Sequence, residues 1–283
     1  MITVRDAREL RREVGLWQAQ DRSVGFVPTM GALHAGHLSL IARARERADR
    51  VVASIFVNPA QFGPGEDLSR YPRQPEKDAG MLREAGCDLL FLPDVATIYP
   101  PGSSTFVVPG GPAEGLEGAL RPGHFRGVAT VVCGLINLVR PDVVVFGRKD
   151  AQQLAVVRRM VRDLHLPVDV VAGETVREAD GLALSSRNVY LSPAERRAAG
   201  VLHRALTAAE RAIAAGERRG DEVRRLLSDV LAGEPLAQVE YAEVVDAEMF
   251  RPVATLTGHV VLPLAVRIGK TRLIDNFQLA IAG

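Results

Sequence analysis

The chain has 283 residues, enough for one large domain or two modest ones, and its composition of 47% hydrophobic and 24% charged residues suits a globular protein with a sizeable core. Lys and Arg number 35 against 34 Asp and Glu, so the overall charge gives no reason to expect nucleic acid or an anionic membrane as partner. Two cysteines, Cys87 and Cys133, sit in apolar contexts that read as buried free thiols; with no secretory signal pattern and no apolar run of spanning length, a reducing cytoplasm is the expected compartment.

Leu10, Val14 and Trp17 at helical spacing predict a helix over 6–20. A first strand follows over 24–27 and ends at Pro28, and a helix is expected over 36–48. The continuous apolar run 51–57 reads as a parallel strand buried on both faces. A polar turn, 58–63, lies at its carboxyl end, then a loop, a helix over 74–85 and a short strand over 88–92. Residues 93–123 are rich in Pro and Gly and read as loop, with a short strand around 105–108. Helical periodicity returns over 128–139 and stops before Pro141. A strand over 142–146, a turn at 147–150, a helix over 151–164 and a strand over 168–171 complete the alternation. That alternation predicts an α/β fold, a Rossmann-like parallel sheet with right-handed crossovers. After Gly173 the character changes to a polar, turn-rich stretch, 174–188, then helices over 193–215 and 221–231, then antiparallel strands over 239–245, 258–266 and 272–274. Residues 1–175 therefore read as the Rossmann-like domain and 176–283 as a smaller α+β domain, with hinge motion expected across 173–188.

In parallel sheets ligands bind at the carboxyl ends of strands, and the polar turns at 29–37, 58–63 and 147–150 all fall there. The first contains His34 and His37 at a helix start, with Gly36 between them leaving room for a ligand. Helix N-termini attract phosphate, and protonated histidine could steady a departing pyrophosphate. The same H-x-x-H pair also reads as a zinc half-site that His124 would complete, or as two surface histidines. Lys149 is a point charge on a strand-end turn; Asp150 suits ribose hydroxyls and equally suits the N-cap of the next helix. Ser185, Ser186 and Arg187 offer hydroxyls and a guanidinium for phosphate, while Gln61 and Gln153 are neutral amides suited to hydroxyl and carboxylate groups. Gly269-Lys270-Thr271 resembles the end of a P-loop, but Leu264 stands where its first glycine belongs.

These residues resemble the pantothenate synthetase (pantoate–β-alanine ligase) family within the HIGH-type nucleotidylyltransferases. The resemblance rests on PTMGALHAGH at 28–37, FVNPAQF at 56–62 with Tyr71-Pro72-Arg73, RPGHFRGVATVV at 121–132, FGRKDAQQL at 146–154, VREADGLALSSRN at 176–188 and RIGKTRLIDN at 267–276. It spans nearly the whole chain. It implies ATP- and Mg²⁺-dependent condensation of pantoate with β-alanine through a pantoyl adenylate, releasing pyrophosphate and AMP, in a homodimeric enzyme.

Carried over by position, the resemblance implies an ATP site made of Met30, Gly31, Ala32, Leu33, His34, Ala35, Gly36 and His37, of Gly147, Arg148, Lys149 and Asp150, and of Val176, Leu184, Ser185, Ser186 and Arg187. His34, His37, Lys149 and Arg187 are the implied catalytic groups. Gln61 and Gln153 would bind pantoate, with Asn58, Tyr71, Arg121 and His124 on the substrate side. Leu184 replaces a common Met, and Lys77 stands where some relatives carry an acid, so no protein ligand for Mg²⁺ is assigned.

Overall fold

Apolar runs without polar interruption need cover on both faces, and the chain supplies it with helices on either side of one parallel sheet. The structure is a computed structural model that describes residues 1–281. Its first part runs β1 (Ile2–Val4), α1 (Ala7–Gln18), β2 (Val24–Thr29), α2 (Ala35–Arg45), β3 (Arg50–Ile55), α3 (Pro75–Glu84), β4 (Leu89–Phe91), α4 (Val95–Ile98), α5 (Leu116–Leu120), α6 (His124–Val139), β5 (Val143–Gly147), α7 (Ala151–Asp163) and β6 (Asp169–Gly173). The six strands are parallel, in the order β1-β4-β3-β2-β5-β6. Side chains sort by the two-residue period of a strand. Val24, Phe26, Val52, Val144 and Phe146 pack with α1, α6 and α7 on one face. Val27, Val51, Ala53, Val143 and Val145 pack with α2 and α3 on the other.

The second part runs α8 (Pro193–Ala199), α9 (Val201–Ala214), α10 (Gly220–Ala232), β7 (Ala237–Ala242), β8 (Val245–Asp246), β9 (Gly258–Ile268) and β10 (Thr271–Ile281). Its four-stranded antiparallel sheet buries one face against α9 and α10. A small apolar cluster joins Ala151 and Ala155 of α7 to Val245 and Val261 of this sheet, so the two sheets pack through α7. Gly269 and Lys270 form the β9–β10 hairpin turn, with Gly269 at φ +57°.

Some local expectations change. β1 is not legible in the sequence, because three residues carry too little periodicity; it pairs with β4 at the sheet edge. No strand forms over 105–108; the Val107 N–H instead donates to the Thr130 hydroxyl of α6 at 3.0 Å. The helix expected over 193–215 breaks at Gly200 into α8 and α9, and the strand expected over 239–245 divides into β7 and β8. Ser192 and Glu195 do form a capping box at the start of α8. Cys87 is buried, whereas Cys133 is only half-buried.

Candidate active site

β2 lies where the strand order reverses, with β3 on one side and β5 on the other, which opens a crevice at the carboxyl ends. A cavity of about 220 Å³ occupies it. The turns after β2, β3 and β5, the inner face of α6 and the strap 174–187 all line this cavity. The three polar strand-end turns thus converge on one space.

His34 and His37 cap α2 with their own rings. The His34 Nδ1 accepts the Gly36 N–H at 3.2 Å, and the His37 Nδ1 accepts the His34 N–H at 3.3 Å. An imidazole that accepts at Nδ1 carries its proton on Nε2 when neutral, so each ring keeps one N–H donor. Both rings line the cavity, with centroids 4.2 Å apart. Burial first, then the neighbouring His34 and Lys149, push the His37 pKa down to about 3. Burial and Lys149 lower that of His34. The protonated form expected from the sequence is therefore disfavoured in the free protein, and the rings act as neutral donors. Gly36 is required by His34 itself: a Cβ there would lie 2.9 Å from the His34 ring, so its clearance serves the cap before any ligand.

Asp78 of α3 shapes the turn from Gly31 to Leu33, although no motif in the chain points to it. Its buried carboxylate accepts the Ala32 and Leu33 N–H groups, each at 2.9 Å. Ala32 sits at φ +51°, a left-handed conformation costing a non-glycine residue about 1–2 kcal/mol. Hydrogen bonds to a charged group contribute about 1.5–3 kcal/mol each, enough to offset that strain.

Lys149 and Asp150 also line the cavity, in a single helical turn between β5 and α7. The Asp150 side chain makes no capping bond to α7, so its carboxylate stays available to a ligand. Ser185, Ser186 and Arg187 of the strap line the cavity as well. Arg187 already holds Asp67 in a two-point ion pair at 2.9 and 3.0 Å. Burial disfavours the Asp67 carboxylate, but the hydrogen bonds and charge of Arg187 outweigh it and lower its pKa.

The Gln61 side is braced from behind. Gln61 donates to the Met30 Sδ at 3.1 Å and accepts from Asn58 at 3.1 Å. The Asn58 amide also donates to the Gly127 carbonyl at 3.1 Å, while its oxygen accepts from the Ala60 N–H at 3.2 Å and the Tyr99 hydroxyl at 2.8 Å. Asn58 lines the cavity, yet its polar atoms serve the Gln61 turn. Gly127 lets α6 approach that turn, since a Cβ would fall 2.2 Å from the Ala60 carbonyl.

Arg121 and His124 lie outside the main cavity. His124 Nδ1 donates to the Gln61 carbonyl at 2.9 Å, and its Nε2 accepts from Arg121 at 3.1 Å. Arg121 pairs twice with Glu66, at 2.8 Å each. Both residues line a smaller adjoining cavity, which shares Lys149, Asp150 and Gln153 with the first. With both ring nitrogens engaged, His124 does not complete a metal site with His34 and His37. Among the described residues no group of three His, Cys, Asp or Glu clusters as a metal site would require.

Met30, Gly36, Tyr71, Gly147, Gln153, Val176 and Leu184 also line the main cavity. Gly31, Ala32, Leu33, Ala35 and Arg148 do not; they form the turns behind it. Sequence reasoning missed the apolar wall of Val128, Val131, Val132 and Leu135. The i, i+3, i+4, i+7 stripe is visible in the chain but reads only as core, because spacing says which residues share a face and not what that face meets.

Fold and site together define a Rossmann-like α/β protein with its binding cleft at the topological switch point. The family model described as pantoate-beta-alanine ligase matches residues 2–278. A pantothenate synthetase of Heliobacterium modesticaldum is 57% identical over 274 residues, covering 95% of this chain and 98% of its own. The crystal structure of pantothenate synthetase from Thermus thermophilus superposes with a TM-score of 0.93 at 51% identity, over 98% of this chain and 99% of that one. The pantoate-beta-alanine ligase of Francisella tularensis, complexed with beta-gamma ATP and beta-alanine, gives a TM-score of 0.79 at 33% identity, over 98% and 97%. The chain belongs to the pantoate–β-alanine ligase family. It is a ligase that forms pantothenate in an ATP-dependent reaction.

Proposed function

We propose that the cavity between β2, β3, β5 and the strap holds ATP and pantoate together, and that a pantoyl adenylate forms there. The observation that carries this reading is the presence of two chemistries in the wall of one cavity. Its lining includes donors and positive charge in His34, His37, Lys149, Ser185 and Ser186, and amides and apolar surface in Gln61, Gln153 and the α6 stripe. The first set suits a triphosphate and the second a small branched hydroxy acid.

In this reading the pantoate carboxylate attacks the α-phosphorus and pyrophosphate leaves. The β-alanine amine then attacks the acyl carbon and AMP leaves. Displacement at phosphorus needs alignment and charge stabilisation rather than a protein nucleophile. The His34 and His37 Nε2–H groups donate to phosphate oxygens, Lys149 supplies fixed charge and Asp150 takes the ribose hydroxyls. The apolar α6 wall keeps water from the adenylate.

Mg²⁺ fits as an ion carried in on the nucleotide, since such ions keep water and phosphate oxygens as most of their ligands and need no protein cage. In this reading the ion's ligands are phosphate oxygens and water, and the Asp150 carboxylate is left to the ribose. When bound, the ion neutralises phosphate charge.

Residues 1–175 form the domain that binds ATP and pantoate in this reading, and 176–283 the lid. Homodimerisation belongs to it too; the exposed side chains of Phe106 and Val108 are apolar surface such a contact could cover, and light scattering tests it. The free thiols of Cys87 and Cys133 accord with a cytoplasmic setting. The reaction is tested by exchange of labelled pyrophosphate into ATP. Exchange that requires pantoate is expected; none at saturating ATP and pantoate would overturn the adenylate reading.

A further inference from the structure

Ile274, Asp275 and Asn276 of the segment 267–276 line the smaller adjoining cavity, and their strand reaches both the Lys149 turn and the strap. On β10, Arg272, Ile274, Asn276 and Gln278 project to one face and Leu273, Asp275 and Phe277 to the other, by the two-residue period of a strand. The even face meets the parallel-sheet domain. The Asn276 amide donates one hydrogen to the Arg148 carbonyl at 3.0 Å and the other to the Lys149 carbonyl at 2.9 Å. Gln278 donates to the same Arg148 carbonyl at 3.3 Å and to the Asn276 Oδ1 at 3.3 Å. Arg272 grips Glu117 at 2.6 and 2.9 Å. The odd face meets the strap: Asp275 accepts two hydrogen bonds from Arg177, at 2.6 and 2.9 Å. Asp275 and Asn276 are both buried, 2% and 5% exposed, so neither contact is shared with bulk water.

The turn that carries Lys149 is one short helical turn, a geometry that is weak when left to itself. Its N-cap is Gly147, which has no side chain to cap it. Its restraint comes instead from the other sheet. We infer that Asn276 is a positioning residue for Lys149, and that consecutive residues of β10 set the Lys149 turn and the root of the Ser185–Arg187 strap at a fixed spacing across the nucleotide. This rests on the reading of Lys149 as a phosphate-contacting group. Asn276 acts through the backbone of residues 148 and 149 and touches no reacting atom.

Asn276→Asp keeps the shape of the side chain, removes both donors and sets a negative oxygen against two carbonyls. Two half-reactions are measured on folded variants: pantoate-dependent pyrophosphate exchange, and release of AMP from preformed pantoyl adenylate by β-alanine. The second does not use the triphosphate. Exchange is expected to fall by up to about 100-fold, the scale of an ångström-sized misplacement of a catalytic group, while aminolysis stays within about 3-fold of the parent. In a Lys149→Ala background the same substitution is expected to cost almost nothing further, because the group it positions is gone. Equal losses in both half-reactions, or full multiplication of the two substitutions in exchange, would overturn the inference while leaving the site assignment standing. Lys149→Ala with unchanged exchange would instead overturn the assignment, and the inference with it. If Asn276→Asp does not fold, Asn276→Ala, which removes the donors without adding charge, takes its place. Failure of both to fold would make Asn276 a determinant of the fold and overturn its positioning role.

Discussion

Arg187, in the lining of the cavity, pairs with Asp67, Nε to Oδ2 at 3.0 Å and Nη2 to Oδ1 at 2.9 Å, joining the strap after β6 to the loop after β3. The Arg187 side chain remains 33% exposed and that of Asp67 18%, so solvent screening limits the pair to about 1 kcal/mol. A triphosphate reaching Arg187 must compete with this carboxylate. Asp67→Asn is therefore expected to lower the melting temperature of the free enzyme by about 2–4 °C. It is also expected to enlarge the rise in melting temperature on adding ATP, because the nucleotide no longer displaces a charged partner. An unchanged ATP-induced rise in a thermal-shift titration would mean that Arg187 does not meet the nucleotide.

His37→Ala and Lys149→Ala should each slow adenylate formation by at least about 100-fold, the scale of losing one preorganised group at a developing charge. Both variants should keep a cooperative melt, since Lys149 lines the cavity and His37 supplies one cap bond at 3.3 Å. The measurement is pyrophosphate exchange at saturating pantoate. Loss of the melting transition would show a structural role instead.

Gln61→Ala should raise the apparent KM for pantoate about 10-fold or more and leave that for ATP nearly unchanged. Steady-state kinetics with each substrate varied in turn decide it. Equal effects on both would move Gln61 out of the pantoate side. Gly127→Ala should act in the same direction, because its new Cβ would meet the Ala60 carbonyl at 2.2 Å and push the Gln61 turn aside.

The histidines make stability fall in mild acid. His37 in the unfolded chain takes up a proton near its ordinary value of 6.5, but in the folded protein only near 3. Between those values the unfolded state binds more protons, so stability is fullest above about pH 6.5 and declines as the pH drops toward 3. His34 and His124, both lowered chiefly by burial, add to the same slope. The carboxylates held low by arginines, Glu66, Asp67 and Glu117, contribute only in stronger acid. Urea midpoints at about pH 7.5 and about pH 5 should therefore differ in the parent and differ less in His37→Asn. An equal difference in both would mean that His37 titrates normally.

The sheet is legible because its information is local. The runs at 24–27 and 51–57 carry their burial in composition alone, and the 58–63 and 147–150 turns mark where β3 and β5 stop, while β2 runs through Pro28 to Thr29. Those same stops locate the strand-end turns, so the convergence of His34, Gln61 and Lys149 on one crevice follows from sheet geometry once the alternation is recognised. β1 escapes for the opposite reason, since its three residues are a strand only beside β4.

The α/β alternation, the polar strand ends, the change of character after Gly173 and the motifs that carry the family are all written in the linear chain. Which groups face the ligand, and which brace those that do, is settled only by packing. Packing turns Arg121 and His124 into supports for the Gln61 turn, sets the protons of His34 and His37 on Nε2, and brings Asp78 to the Ala32 turn. The physical reason is distance along the chain. Strand and helix patterns are written in neighbours a few residues apart, whereas Ala32 and Asp78 are separated by 46 positions and Lys149 and Asn276 by 127. No local period records such pairs; they meet only when helix has packed on sheet and one sheet on the other.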